Sequence, residues 1–180
     1  MRWIVVYSSR TGNTRRVAEA ARDGLADAGA DVRLAAIGEA PEPAKDEAVA
    51  VGFWVDKGRP DDLARDYLLA EAGKARAVAL FGTLGARPDS PHADDVRRAA
   101  LELAGGEGCL GLYLCQGRID PRLVEVMARS AHHPMTPERK ANIEAAAKHP
   151  DEDDLARARA FFRELAGGGQ ETREARACNE

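Results

Sequence analysis

A chain of 180 residues, 44% hydrophobic and 31% charged, has the size and composition of one soluble globular domain, long enough to bury a core of its own. Its 30 acidic against 26 basic residues leave a net charge of −4, which argues against nucleic-acid binding, a function that ordinarily shows a basic face. The same mild acidity suits a redox protein that docks on a basic partner surface.

The N-terminus reaches Ser8 after a single apolar run, too short for a signal peptide or a membrane span, so a cytoplasmic location is expected. In the strand 2–7, the residues after Arg2 are apolar without alternation, the pattern of a strand covered by helices on both faces. The run passes into Ser8-Ser9-Arg10-Thr11-Gly12-Asn13-Thr14. A helix then starts near Asn13 on the stripe Val17, Ala18, Ala21 and Leu25, with Arg15, Arg16 and Arg22 off it. A strand that ends in hydroxyls and a glycine and turns into a helix makes an anion site. The hydroxyls donate, the glycine lets the backbone come close, and the opening helix turn aims free N–H groups and its positive dipole end at the same spot. The spacing is neither that of a nucleoside-triphosphate loop nor that of a dinucleotide fold. The stretch has no lysine, and only Arg10 is charged, so its neutral donors suit a monophosphate held without magnesium. The plainer alternative is a helix cap with no ligand.

After Gly29, residues 31–36 read as a more polar strand, expected at a sheet edge, and residues 39–46 as an irregular connection. The third strand is 48–52, running into the loop Phe53-Trp54-Val55-Asp56-Lys57-Gly58-Arg59-Pro60. Asp61 and Asp62 are expected in the first turn of a helix whose apolar side is Leu63, Ala64, Tyr67 and Leu68. The fourth strand, 77–81, breaks at a loop over 82–90, and Pro91 opens a helix bearing Val96, Ala100 and Leu103. The fifth strand is 110–115. Cys109 and Cys115 share a parity there and read as small buried hydrophobes. With an odd cysteine count and no C-x-x-C, neither a disulfide framework nor a metal site is indicated. Helices follow over about 121–130, up to Lys148, and from Asp151, the last with the stripe Leu155, Ala158, Phe162 and Leu165. One domain over 1–166 and a disordered tail over 167–180 are expected.

Five strands alternating with helices imply an α/β, doubly wound parallel sheet with right-handed crossovers. Ligands bind such sheets at the carboxyl ends of the strands, where the strand order reverses. The loops after strands one, three and four, rich in Gly, Thr and aromatic residues, are therefore the candidate pocket.

S-x-[RT]-T-G-N-T directly after the first strand resembles the FMN-phosphate loop of flavodoxins. Four further motifs are V-G-F-W-V-D-K-G (51–58), A-L-F-G-T-L-G-A-x-P-D-S-x-H-A (79–93), L-Y-L-C-Q-G-R-I-D-P (112–121) and H-P-M-T-P-E-R (133–139). Together they resemble a narrower bacterial flavodoxin group common in anaerobes, which includes the small subunit associated with bilirubin reductase. The resemblance covers about residues 2–166, and the last two motifs are specific to that group. It implies a flavodoxin-like sheet of order 2-1-3-4-5 with extra C-terminal helices, one noncovalent FMN, and a reductase or electron-donor role. It assigns no substrate.

The FMN site so implied uses Ser8, Ser9, Arg10, Thr11, Gly12, Asn13 and Thr14 at the phosphate. Trp54 would form one ring wall, with the peptides from Phe53 through Val55 and Asp56 to Lys57 along the N5 edge. Gly58 would give those peptides freedom to turn. Lys57 and Arg59 near a flavin would raise its potential; as solvated loop charges they would do nothing. Amides of Thr83, Leu84, Gly85 and Ala86 would meet the pyrimidine edge, with Ser90 and His92 beside them. Here the sequence departs from the flavodoxin pattern, because the loop after strand four has no aromatic for the outer ring face. An open face admits a substrate or NAD(P)H. His92, His132 and His133 are candidate proton donors or surface groups, Gln116 and Arg118 candidate substrate contacts, and no catalytic residue is assigned. The leading expectation is an electron-transfer protein serving a partner reductase or small-molecule acceptor. The alternatives are a stand-alone NAD(P)H-dependent quinone or tetrapyrrole oxidoreductase and a cofactor-free binding module.

Overall fold

The computed structural model describes residues 1–129 and 135–177. Five parallel strands stand in the order β2 (Asp31–Ala36), β1 (Arg2–Tyr7), β3 (Glu47–Asp56), β5 (Ala77–Leu84) and β6 (Cys109–Gln116). A two-residue strand, β4 (Arg59–Pro60), pairs antiparallel with the end of β3. The five long strands are the expected 2-1-3-4-5 sheet, with β2 at an edge, and the order reverses between β1 and β3.

The apolar run of β1 is explained by cover on both faces. Ile4 and Val6 face a core shared with α2 (Asp62–Ala70) and α3 (Pro91–Leu103). Trp3 and Val5 face a second core, shared with α1 (Asn13–Asp27) and α6 (Glu152–Ala177). All four are fully buried. In α6 the expected stripe delivers Ala158 and Phe162 to that core, and the Phe162 ring meets Phe81 edge-on at 5.7 Å. The helix continues to Ala177, past Gly167. Where α1 crosses α6, Gly24 is what permits contact: a Cβ there would lie 2.1 Å from the Arg159 carbonyl oxygen.

Four details differ from the expectations. The third strand does not stop at Gly52; it runs through Phe53, Trp54 and Val55 to Asp56 and folds back as a hairpin with β4. Its turn residues Lys57 and Gly58 both have positive φ, 49° and 82°, as mirror-image hairpin turns require. The extension is held by packing. Gly52 and Phe53 pair in register with Phe81 and Gly82 of β5, and each ring occupies the space over the opposing glycine. Phe53 is thereby committed to the core.

Asp61 is the N-cap of α2 and not part of its first turn. Leu63 is 61% exposed, because the buried side of α2 is Ala64, Tyr67 and Leu68. Finally, Cys109 and Cys115 do not share a face. Val78 pairs with Cys109 and Leu80 with Leu112, so β6 carries one extra residue at a bulge beside Gly111 (φ 151°). Cys109 packs on the α2/α3 core and Cys115 on the α1/α6 core. Burial pushes both thiols up, Cys115 to about 12, so neither is a ready thiolate.

Between β6 and α6 the chain adds α4 (Pro121–Ala128) and α5 (Pro137–Ala146) at the carboxyl end of the sheet. His132 and His133, in the stretch between them, lie outside the described residues. Among the described residues, no helix is long and apolar enough to cross a membrane.

Candidate functional site

The loops after β1, β3, β5 and β6 line one cleft of about 680 Å³ at the carboxyl ends of the strands, beside the β1/β3 switch point. The first loop contributes Arg10, Thr11, Asn13 and Thr14. Gly12 caps α1 with φ 88° and no side-chain hydrogen bond, and space for a Cβ is open around it. The helix start thus leaves the first two N–H groups, those of Asn13 and Thr14, without an acceptor among the described residues. Farther in, Ser9 Oγ accepts from the Arg15 N–H at 3.3 Å. Thr14 is 1% exposed, and its hydroxyl shares a 2.9 Å hydrogen bond with the Thr83 hydroxyl of β5. One proton of that pair is used between the two oxygens, and the other remains to be donated elsewhere.

Opposite stands Trp54, half-buried at the end of β3, with the Arg10 guanidinium 5.4 Å from its ring centre. Arg10 also reaches Asp120 at 3.5 Å, tying the first loop to the fourth. The backbone of Trp54 is fixed from below by Asp61. Its N–H donates to Asp61 Oδ2 at 3.2 Å, and the Asp61 N–H returns a bond to the Trp54 carbonyl at 3.1 Å. The same carboxylate caps the Ala64 N–H, so one buried group orders both the Trp54 wall and α2, with the Ser8 hydroxyl close enough to favour its charged form. Burial raises the Asp61 carboxyl above its ordinary value, against the lowering effect of these hydrogen bonds.

The third loop contributes Thr83, Leu84, Gly85 and Ala86. The Gly85 carbonyl accepts from Gln116 at 3.2 Å and from Asn142 of α5 at 2.8 Å, and a Cβ on Gly85 would strike Ile119. The fourth loop and the added helices supply the rest: Gly117, Arg118, Ile119, Asp120, Leu123, Val126 and Arg139. Gly117 lets the fourth loop lie on Asn13, whose amide donates to the Arg118 carbonyl at 2.8 Å. A turn over 149–154 braces this loop from outside. There the His149 carbonyl accepts from the Arg118 N–H at 2.8 Å, and His149 Nδ1 lies 2.5 Å from buried Asp154. Burial pushes the Asp154 carboxyl up, but bonds from His149, the Asp151 N–H and Arg157 outweigh it and hold the group below its ordinary value.

The structure thus gathers Arg10, Thr11, Asn13, Thr14, Trp54, Val55, Asp56, Lys57, Thr83, Leu84, Gly85 and Ala86 of the expected site, with His92 at Gly58. Ser8, Ser9 and Gly12 shape the first loop from behind the cleft surface. The Phe53 side chain is in the core, and Ser90 caps α3 through the Ala93 N–H at 3.3 Å. Residue-by-residue reading missed Gly117, Ile119, Asp120, Leu123, Val126 and Arg139. The motifs at 112–121 and 133–139 held four of these; Leu123 and Val126 carried only an i, i+3 apolar spacing in a short helix.

Residues 4–163 match the family model described as Flavodoxin domain. A flavodoxin-like domain-containing protein named BilS from Clostridium symbiosum (strain WAL-14163) is 32% identical over 175 residues, which is 87% of this chain and 91% of that protein. A protein of the same name from Clostridioides difficile (strain CD3) is 28% identical, over 92% of this chain and 96% of that protein. Among solved structures, a flavodoxin from the domain Archaea superposes with a TM-score of 0.59 at 19% identity, covering 92% of this chain and 96% of that one.

Proposed function

The chain belongs to the flavodoxin domain family, a family of flavodoxin-type redox proteins, and on that premise we propose that it binds one FMN in the cleft and passes electrons to a partner reductase or small-molecule acceptor. The observation that carries the reading is the start of α1 at Gly12, where the N–H groups of Asn13 and Thr14 have no acceptor among the described residues, beside an apolar cleft faced by Trp54. The donor set fits the group. Hydroxyls of Thr11 and the Thr14–Thr83 pair and the first α1 N–H groups would hold a phosphate with little help from cations, while the Asn13 side-chain amide, committed to Thr11 and the Arg118 carbonyl, positions the loop. Trp54 and the aliphatic residues Leu84, Ile119, Leu123 and Val126 would enclose a flat ring.

Bound FMN would supply the redox chemistry, and the protein supplies binding, orientation and local charge. Asp61 holds the Trp54 wall in place, and the backbone of Thr83 to Ala86 offers polar groups at the inner edge. Lys57, at the hairpin tip, would favour added negative charge on a reduced ring. The test is titration of the purified chain with FMN and with riboflavin, read by flavin fluorescence and visible absorbance. FMN should bind in one-to-one ratio and riboflavin at least tenfold more weakly, the minimum expected from losing a phosphate at a helix start (roughly 1.4 kcal/mol per tenfold). Absence of any FMN binding would overturn the reading and leave a cofactor-free module.

A second reading rests on the third loop, which has no aromatic side chain to cover the outer ring face. An uncovered face suits direct NAD(P)H oxidation with a quinone or tetrapyrrole acceptor. Steady oxidation of NADH or NADPH by the loaded chain alone would favour it over a carrier.

A further inference from the structure

The first loop, residues 8–14, carries one charged side chain, and that side chain is engaged with the ring wall. The Arg10 guanidinium lies over the Trp54 ring, 5.4 Å from its centre, and its Nε stands 3.5 Å from Asp120 Oδ2. Both ends of this bridge are fixed. The Trp54 backbone is bonded in both directions to buried Asp61. Asp120 caps α4: its Oδ1 accepts from the Arg122 N–H at 2.9 Å, and its carbonyl accepts from the Leu123 N–H at 2.9 Å. All three residues line the cleft, so Arg10 crosses it from the end of β3 to the fourth loop. A guanidinium within about 6 Å of an indole centre is drawn to the ring face, and a planar guanidinium stacks there as an ammonium cannot. The arginine is itself half exposed, with open solvent to move into.

We propose that Arg10 is a gate on the ring site: it covers the face of Trp54 on which a flavin would stack, and the ring enters only after the guanidinium has left. The gate rests on the FMN reading above and moves Arg10 from the phosphate, where the sequence resemblance put it, to the ring wall. A guanidinium and an isoalloxazine cannot share one indole face. A site that is open for only part of the time binds its ligand more weakly by the open fraction. A solvent-exposed cation–π contact with a loose ion pair behind it favours the closed state by about three- to tenfold. Removing Arg10 should therefore tighten flavin binding, the opposite sign to removing a phosphate ligand. Because Asp120 holds Arg10 and also caps α4, the gate joins the ring site to the first of the added helices.

Two measurements on the full chain test it. In the flavin-free protein, NMR should show the Arg10 Hδ and Hε signals displaced upfield by the Trp54 ring current, and Trp54→Leu should abolish the displacement. Ordinary positions for these signals in the parent would overturn the gate alone, whether or not FMN binds. The second measurement is titration of the parent, Arg10→Ala and Arg10→Lys with riboflavin and with FMN, read by flavin fluorescence. Riboflavin has no phosphate, so it reports on the ring site. Arg10→Ala should bind it about three- to tenfold more tightly than the parent. Arg10→Lys keeps the charge without the planar group and should gain for both flavins, by less. Riboflavin binding that is unchanged or weaker in Arg10→Ala would overturn the proposal. So would FMN binding that is lost in Arg10→Ala and restored in Arg10→Lys with riboflavin unchanged, since that describes a phosphate cation. If none of the three proteins binds either flavin while the ring-current displacement is present, the FMN reading fails and the gate falls with it.

Discussion

Removing the Asp61 carboxylate tests whether one buried group holds the site together. Asp61→Ala deletes an α2 cap whose bond to the Ala64 N–H is 3.4 Å long, a loss of about 1 kcal/mol. It also strips the Trp54 N–H of its acceptor at a partly buried strand end, a loss of about 1–3 kcal/mol. Against this stands relief of burying a carboxylate that is 3% exposed and whose raised pKa shows that desolvation outweighs its hydrogen bonds. The balance is a net loss of about 2–3 kcal/mol. Asp61→Asn separates the parts. It keeps a carbonyl for the cap but turns an amide NH2 toward either the Trp54 or the Ala64 N–H, donor to donor, for a loss of about 1–2 kcal/mol.

Urea denaturation at pH 7 reads both variants as shifts in midpoint at constant slope, and Trp54 emission reads whether the cleft wall has moved. The pH dependence adds an independent check. The folded carboxyl titrates above its unfolded value, so the native state keeps the proton to higher pH. This group therefore contributes a stability that falls as pH rises from about 4 through the raised value, and Asp61→Asn should remove that slope. An alanine variant within about 0.5 kcal/mol of the parent, with unchanged Trp54 emission, would refute the reasoning.

Asp154 should show the opposite sign. Its carboxyl is held low, so its stabilisation is present above the unfolded value near 4, lost as pH falls through the folded value, and absent in Asp154→Asn acid denaturation curves. Thr14→Val keeps the shape but leaves the Thr83 hydroxyl without its partner. It should cost about 1–3 kcal/mol in stability and weaken FMN binding measurably, both read by denaturation and flavin titration. Gly24→Ala sets two effects against each other. Helix propensity favours alanine by about 1 kcal/mol, but the new Cβ would lie 2.1 Å from a main-chain carbonyl that cannot swing away. Separation of α1 from α6 should win, with a net loss of about 1–3 kcal/mol in thermal or urea unfolding.

The sheet was legible because a strand covered on both faces must be apolar throughout, and the runs at 2–7, 48–52 and 77–81 have no other economical reading. The first loop was legible for a local reason: hydroxyls, one glycine and a helix start are sequence-adjacent. The end of β3 was not. Phe53 looks like a loop aromatic until Gly82 is placed beside it in register, and the turn at Lys57-Gly58 lacks the Asn-Gly that usually marks a two-residue hairpin. The cysteine parity failed for a related reason, since one extra residue at Gly111 flips every side chain that precedes it. Register across strands is a tertiary quantity, and nothing local in the sequence states it.

The fourth loop shows a different limit. The third loop has no aromatic, which in the sequence reads as a missing wall. In the structure the residues that line the cleft beside that loop come from the fourth loop, α4 and α5, 30 to 55 positions further along, and include Arg118, Ile119, Leu123, Val126 and Arg139. A single stacked ring would have covered a flavin face and closed it. Aliphatic side chains that remain partly exposed in the fold, Leu123 and Val126, would cover it only in part. The missing aromatic and the added helices thus go together: the cleft lacks an aromatic outer wall and has partly exposed aliphatic side chains in its place. The Gly85 carbonyl, which accepts from both Gln116 of β6 and Asn142 of α5, is the joint that ties the added segment to the third loop.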